Sequence, residues 1–191
     1  GLWVVYYSAA LVTKRVNVVG ARNLTPVQVS LTAQVPLGVP LARQDLDAIA
    51  ERLTTVSSIE TATVSRSWPN TITVTIVERR PVLAVLQPDG YVVVDKHGVA
   101  YQTQPTLPPK VVLTDINTQD KPLLSAVAVV ATALPEKLNG KVRLITARSP
   151  DSIALLLGSG RIVTWGSSAD SELKAEVVTA LLKRKPKSSI D

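Results

Sequence analysis

His97, the one histidine of this 191-residue chain, stands two positions after Asp95 in the run Asp95-Lys96-His97-Gly98. A carboxylate that orients an imidazole is half of a general-base device, which works only with a nucleophile or a substrate proton in hydrogen-bond reach. Strand alternation before Asp95 and the tight Lys96-His97-Gly98 turn leave the pair no nucleophile to serve, so His97 reads as a surface turn residue. The densest carboxylates are Asp170, Glu172 and Glu176. They fall at the start of an expected helix, where acidic side chains complement the positive end of the helix dipole, and no metal set follows. Gly158 and Gly160 open no phosphate loop, because a strand follows them and no Gly-Lys-Ser/Thr run is present. Without cysteine there is neither a thiol nucleophile, nor a thiolate metal site, nor a disulfide framework. These residues point to a non-catalytic binding module with no cofactor and no metal.

Charge offers a rival reading. The net charge of +6 suits nucleic acid or another anionic polymer. Aromatic residues are only 4% of the chain, and no expected strand shows the aromatic pairs on which bases stack. The one dense basic run, Lys183-Arg184-Lys185 with Lys187, lies at the end of the last expected helix, where cations also favour the dipole.

The elements that must carry any site begin after an apolar opening. Leu2 to Val12 is apolar, with Trp3, Tyr6 and Tyr7 placed as in an aromatic membrane belt, and Lys14 and Arg15 follow where basic side chains snorkel to lipid phosphates. Residues 1–13 are therefore expected to be the outer end of a transmembrane helix and its juxtamembrane segment. Nowhere does the chain reach the ~20 apolar residues of a complete span.

Val16-Asn17-Val18-Val19-Gly20 reads as a strand closed by glycine. Thr25, Pro26 and Gln28 make a capping box with proline at the first helical position, opening a helix to about Gln34. A second helix is expected over Arg43 to Val56, from Leu46, Ile49, Ala50, Leu53 and Val56 at helical spacing. Ile59–Ser67 and Thr71–Val77 form a hairpin, the second strand alternating strictly between threonine and aliphatic residues. The sum is two helices on one side of a three-stranded sheet. From Val82 onward short strands meet at Gly and Pro corners: Val82–Leu86, Tyr91–Asp95, Val99–Gln102, Val111–Leu113, Val142–Arg148, Ser152–Leu157 and Arg161–Trp165. Helices are expected at Leu123–Leu134 and Asp170–Lys185, the latter with Leu173, Val177 and Leu181 on one face, and a last strand is expected to start near Ser188.

The first block resembles a POTRA domain of the FtsQ/DivIB family of bacterial cell-division proteins. The resemblance is carried by Val16-x-Val18-x-Gly20, Thr25-Pro26, Gly38-x-x-Leu41, Ile59 through Arg66-Ser67-Trp68-Pro69, and Ile76-Val77-Glu78-Arg79-Arg80-Pro81-Val82-Leu83-Ala84. It continues through Gly90-Tyr91-Val92-Val93-Val94-Asp95-x-x-Gly98-Val99 and Leu157-Gly158-Ser159-Gly160-Arg161-Ile162-Val163-Thr164-Trp165-Gly166. Within it, Pro81 is expected to end the last strand of the first block, and Arg66 and Trp68 to set a hairpin corner. The implied fold is α+β: a POTRA domain at 14–82, then a β domain at 83–191 of antiparallel or mixed meander strands with two flanking helices.

The resemblance further implies a single-pass protein of the bacterial cytoplasmic membrane, with this region on the extracytoplasmic side at the division septum. There it would be a divisome scaffold binding FtsB, FtsL and other division proteins by strand addition. Carried onto this chain, the contact helix holds Leu173, Val177, Leu181 and Lys185, and the receiving strand holds Ser188, Ser189, Ile190 and Asp191, which is short for the family. A POTRA module for polypeptide transport is the nearer rival, although such proteins string several POTRA repeats before a barrel, and one repeat is found here.

Overall fold

The computed structural model describes residues 11–183 and divides the chain after Arg79 into two compact units. In the first unit, β1 (Arg15–Val19), β2 (Ile59–Ser67) and β3 (Thr71–Glu78) form a sheet in the order β1-β3-β2. β1 runs parallel to β3, and β2 antiparallel to it. Alternation sends Ile72, Val74 and Ile76 inward, where they meet Val29 and Ala33 of helix α1 (Pro26–Ala33) and Ile49 and Leu53 of helix α2 (Leu46–Thr54). Thr71, Thr73 and Thr75 are left on the opposite face.

Local signals explain the boundaries. Thr25 caps α1 by accepting the Gln28 N–H, while the Gln28 side chain accepts the Thr25 N–H at 2.8 Å, completing the expected box. α2 starts later than its apolar spacing suggests. Leu41–Arg43 forms a separate 3-10 turn, and Asp45 is the true cap, accepting the Ala48 N–H.

Two structural expectations are corrected here. Arg66 does not set the hairpin corner: its guanidinium donates to Leu41 O at 2.8 Å and Gln44 O at 2.7 Å, closing the 3-10 turn against the sheet. A planar fork can satisfy several carbonyls at once, which is why arginine fits. Pro81 does not end the preceding strand either. β3 stops at Glu78, and Pro81 opens β4, a first-strand position where a missing N–H is tolerated.

The second unit holds a seven-stranded sheet in the order β10-β9-β8-β7-β4-β5-β6. Its strands are β4 (Pro81–Gln87), β5 (Gly90–Asp95), β6 (Ala100–Gln104), β7 (Val112–Thr114), β8 (Val142–Ala147), β9 (Ile153–Leu157) and β10 (Ile162–Gly166). The β4–β7 and β7–β8 pairs are parallel and the others antiparallel. Parallel neighbours need a crossover, supplied between β7 and β8 by α3 (Lys121–Ala133) and the short α4 (Glu136–Asn139). α3 buries Leu124, Val127, Ala128 and Val130 on Leu83, Val94, Ile145, Ile153 and Leu155. The β5–β6 turn presses so closely on α3 that a Cβ on Gly98, where φ is +79°, would lie 2.5 Å from the Ser125 Cα. α5 (Ser171–Lys183) follows β10 and is the last described element.

Candidate functional site

The surface best suited to a partner is built from β10 and α5. β10 is an end strand of the sheet, bonded to β9 on one side and to no strand on the other among the described residues. Its outer edge therefore offers N–H and C=O groups to an added strand. Along it, Ile162 is 70% exposed, Val163 packs toward the core, Thr164 is exposed and Trp165 is buried.

Trp165 ties the strand to the helix. Its Nε1–H donates to Ser171 Oγ at 3.1 Å, and that hydroxyl donates to Ser168 O at 2.8 Å. Gly166, at φ +79°, turns the chain between β10 and α5, and Lys174 Nζ donates to Ser167 O at 2.9 Å to hold the connection. The start of α5 is thus fixed relative to the sheet edge.

α5 sends Ala175, Val178 and Leu182 to the core. Leu173, Val177 and Leu181, four residues apart and so on one face, stay 62%, 51% and 58% exposed. Beside them a groove of about 220 Å³ is lined by Thr164, Trp165, Leu173, Lys174, Val177 and Val178. Full burial of one such aliphatic side chain contributes about 1.5–3 kcal/mol. A backbone hydrogen bond contributes a net of about 0.5–1.5 kcal/mol. Per group, a side chain of the stripe thus has more to gain from burial than a single edge hydrogen bond has from pairing.

The residues that could do chemistry are placed otherwise. Asp95 is 1% exposed, and its Oδ1 accepts the His97 and Val99 N–H groups at 2.9 Å each, so this carboxylate shapes the turn. A cleft of about 590 Å³ brings Lys96 and His97 together with Thr132, Asp170, Ser171 and Glu172. Its buried hydroxyl, on Ser171, donates to a carbonyl and not to an imidazole.

Of the residues singled out from sequence, Leu173, Val177 and Leu181 share the exposed face of α5. Lys14 and Arg15 lie exposed where the chain enters the first unit, with Arg15 opposite Thr71. Trp3, Tyr6 and Tyr7, with Lys185, Ser188, Ser189, Ile190 and Asp191, lie outside the described residues. Sequence reasoning missed β10 itself as part of the site, together with Trp165 and Lys174. Trp165 carried a signal, as a lone aromatic ending a short strand, but edge status depends on the order of all seven strands.

Comparison with known proteins adds to this picture. Residues 12–79 match the family described as "POTRA domain, FtsQ-type", and residues 84–191 match "Cell division protein FtsQ/DivIB, C-terminal". The chain is 40% identical over 195 residues to the cell division protein FtsQ of Streptomyces bingchenggensis, covering 96% of this chain and 73% of that protein. It is 35% identical over 178 residues to that of Mycolicibacterium smegmatis, covering 93% and 54%. A solved structure, the major extracytoplasmic domain of the cell division protein DivIB from Geobacillus stearothermophilus, aligns with a TM-score of 0.42 at 17% identity, covering 58% of this chain and 98% of that one.

Proposed function

This chain belongs to the FtsQ/DivIB family of bacterial cell division proteins, and from that premise we propose that it works as a non-catalytic scaffold of the divisome. In this reading a transmembrane segment ahead of Val12 anchors it in the cytoplasmic membrane at the septum, with the two units outside. FtsB and FtsL are its partners. They add a strand at the C-terminal edge of the β domain and pack apolar side chains on α5. The supporting observation is the row of Leu173, Val177 and Leu181, more than half exposed beside a sheet edge. A folded domain has little reason to leave such a row to water unless something else covers it.

The test is titration of the chain with the extracytoplasmic segments of FtsB and FtsL. Replacing Leu173 and Val177 together by aspartate should weaken binding at least about tenfold, or about 1.4 kcal/mol. Thr164→Pro, which removes one backbone N–H from β10, should weaken it as well if a strand is added at that edge. Unchanged affinity in the Leu173/Val177 variant, with an intact circular dichroism spectrum, defeats the reading.

A further inference from the structure

The end of the first unit at which the chain enters has an unusual surface. Residues 12–15 run between two loops: Val12 bridges Pro40, the Thr13 N–H donates to Val39 O at 2.8 Å, the Gly38 N–H donates to Thr13 O at 2.9 Å, and the Lys14 N–H donates to Asn70 O at 2.8 Å. Thr13 is 1% exposed, and its hydroxyl accepts a hydrogen bond from Gln44 Nε2 at 2.9 Å. The entry strand is therefore fixed to both loops. Each loop presents one large apolar side chain to water: Leu37 at 62% exposure and Trp68 at 52%. Lys14 and Arg15 lie exposed on the segment between them.

The segments that form this end carry basic side chains, and the nearest acids in sequence, Asp45 and Asp47, open α2 after Gln44. No aspartate or glutamate occurs in residues 1–44, nor in residues 61–77, which contain the Trp68 corner. The first acid, Asp45, is engaged as the α2 cap. The segment leading into this end, Leu2 to Val12, carries no charge at all.

We propose that this end of the first unit docks on an anionic lipid surface, with Trp68 and Leu37 at headgroup depth and Lys14 and Arg15 against lipid phosphates. Trp is favoured at that depth because its ring is apolar and its N–H polar. Basic side chains beside it gain from the negative surface potential while their stems stay in the apolar layer. Because Thr13 is locked on both sides, docking orients the whole unit, where a loose tether would leave it free to turn. The proposal goes beyond partner binding by α5 and β10 and fails separately from it, since none of these four side chains lies on that surface.

Trp68 is its own probe. In the Trp3→Phe chain, emission comes from Trp68 and the buried Trp165, and subtracting the Trp3→Phe/Trp68→Phe chain isolates Trp68. With vesicles of phosphatidylglycerol and phosphatidylcholine, its emission should shift to the blue, be quenched by brominated acyl chains and become protected from aqueous acrylamide. Raising salt from about 0.1 M to about 1 M, which shortens the screening length from about 10 Å to about 3 Å, should cut that quenching by at least half. Lys14→Gln and Arg15→Gln should each lower vesicle affinity about fivefold, and Leu37→Ser should reduce quenching with the fold unchanged. The proposal is overturned if the chain floats with vesicles while Trp68 stays open to acrylamide and unquenched by bromine. It is equally overturned if the chain does not associate with anionic vesicles, or if Trp68 is protected only by an added acidic protein.

Discussion

Helices α2 and α5 make an instructive pair, because each sends apolar side chains into its unit's core, yet they finish differently. α2 puts Ile49 and Leu53 into the core at 1% and 0% exposure and shows water Asp47, Glu51 and Thr54. Its Arg52 even reaches back to bond Ala33 O at 2.9 Å. α5 buries the small Ala175 and leaves two leucines and a valine outside. The first helix has used its apolar residues for folding, whereas the second spends Ala175, Val178 and Leu182 on the core and leaves three others exposed. Hydrophobic spacing alone does not tell these cases apart, since both give a stripe.

That contrast can be broken by mutation. Leu53→Ala should cost about 2–5 kcal/mol, read as a lower urea midpoint of the first unit, because a fully buried leucine leaves a cavity. Next in size is Glu78→Gln, at about 1–3 kcal/mol. Glu78 is 7% exposed and accepts the N–H groups of Arg22, Asn23 and Leu24 at 2.7–3.1 Å. Burial pushes its carboxyl up, but those N–H groups outweigh burial and hold the pKa below the usual 4.5. A depressed folded pKa means that the stabilisation is complete above the unfolded value and is lost as pH falls through the folded one. The wild-type urea midpoint should therefore drop on acidification below about pH 4.5, and the glutamine variant should lack that share of the drop. The smallest effect belongs to Leu173→Ser, within about 0.5 kcal/mol in thermal unfolding, as for an ordinary surface site. If Leu173→Ser cost as much as Leu53→Ala, the α5 stripe would be core after all and the comparison would collapse.

How far the sequence could be read follows from how local each signal is. The box of Thr25 and Gln28 spans four residues, and the Ile72, Val74, Ile76 alternation needs one strand, so both were legible. The three-residue β7 was legible as a strand but not as the central member of two parallel pairs, because its neighbours β4 and β8 are set by the crossover through α3. Glu78 stood in a quotable run, yet its partners lie 54 to 56 residues earlier, and no local pattern announces a carboxylate held by three backbone amides. Arg66 misled for the same reason, its carbonyl partners being 22 to 25 residues back. For the candidate site, the spacing of Leu173, Val177 and Leu181 was visible, but that the face turns outward follows only from α5 spending Ala175, Val178 and Leu182 on the core.

The parallel pairing of β1 with β3 has a mechanical side. The chain enters the first unit at the start of β1 and leaves it after Glu78, at the far end of β3. Tension along the chain between these two points pulls the neighbouring strands lengthwise in opposite directions. The five register pairs from Arg15↔Thr71 to Val19↔Thr75 are then loaded in shear and share the force, where a hairpin pulled from its open ends would unzip one bond at a time. A division protein under traction would carry that load through its first unit as through a lap joint.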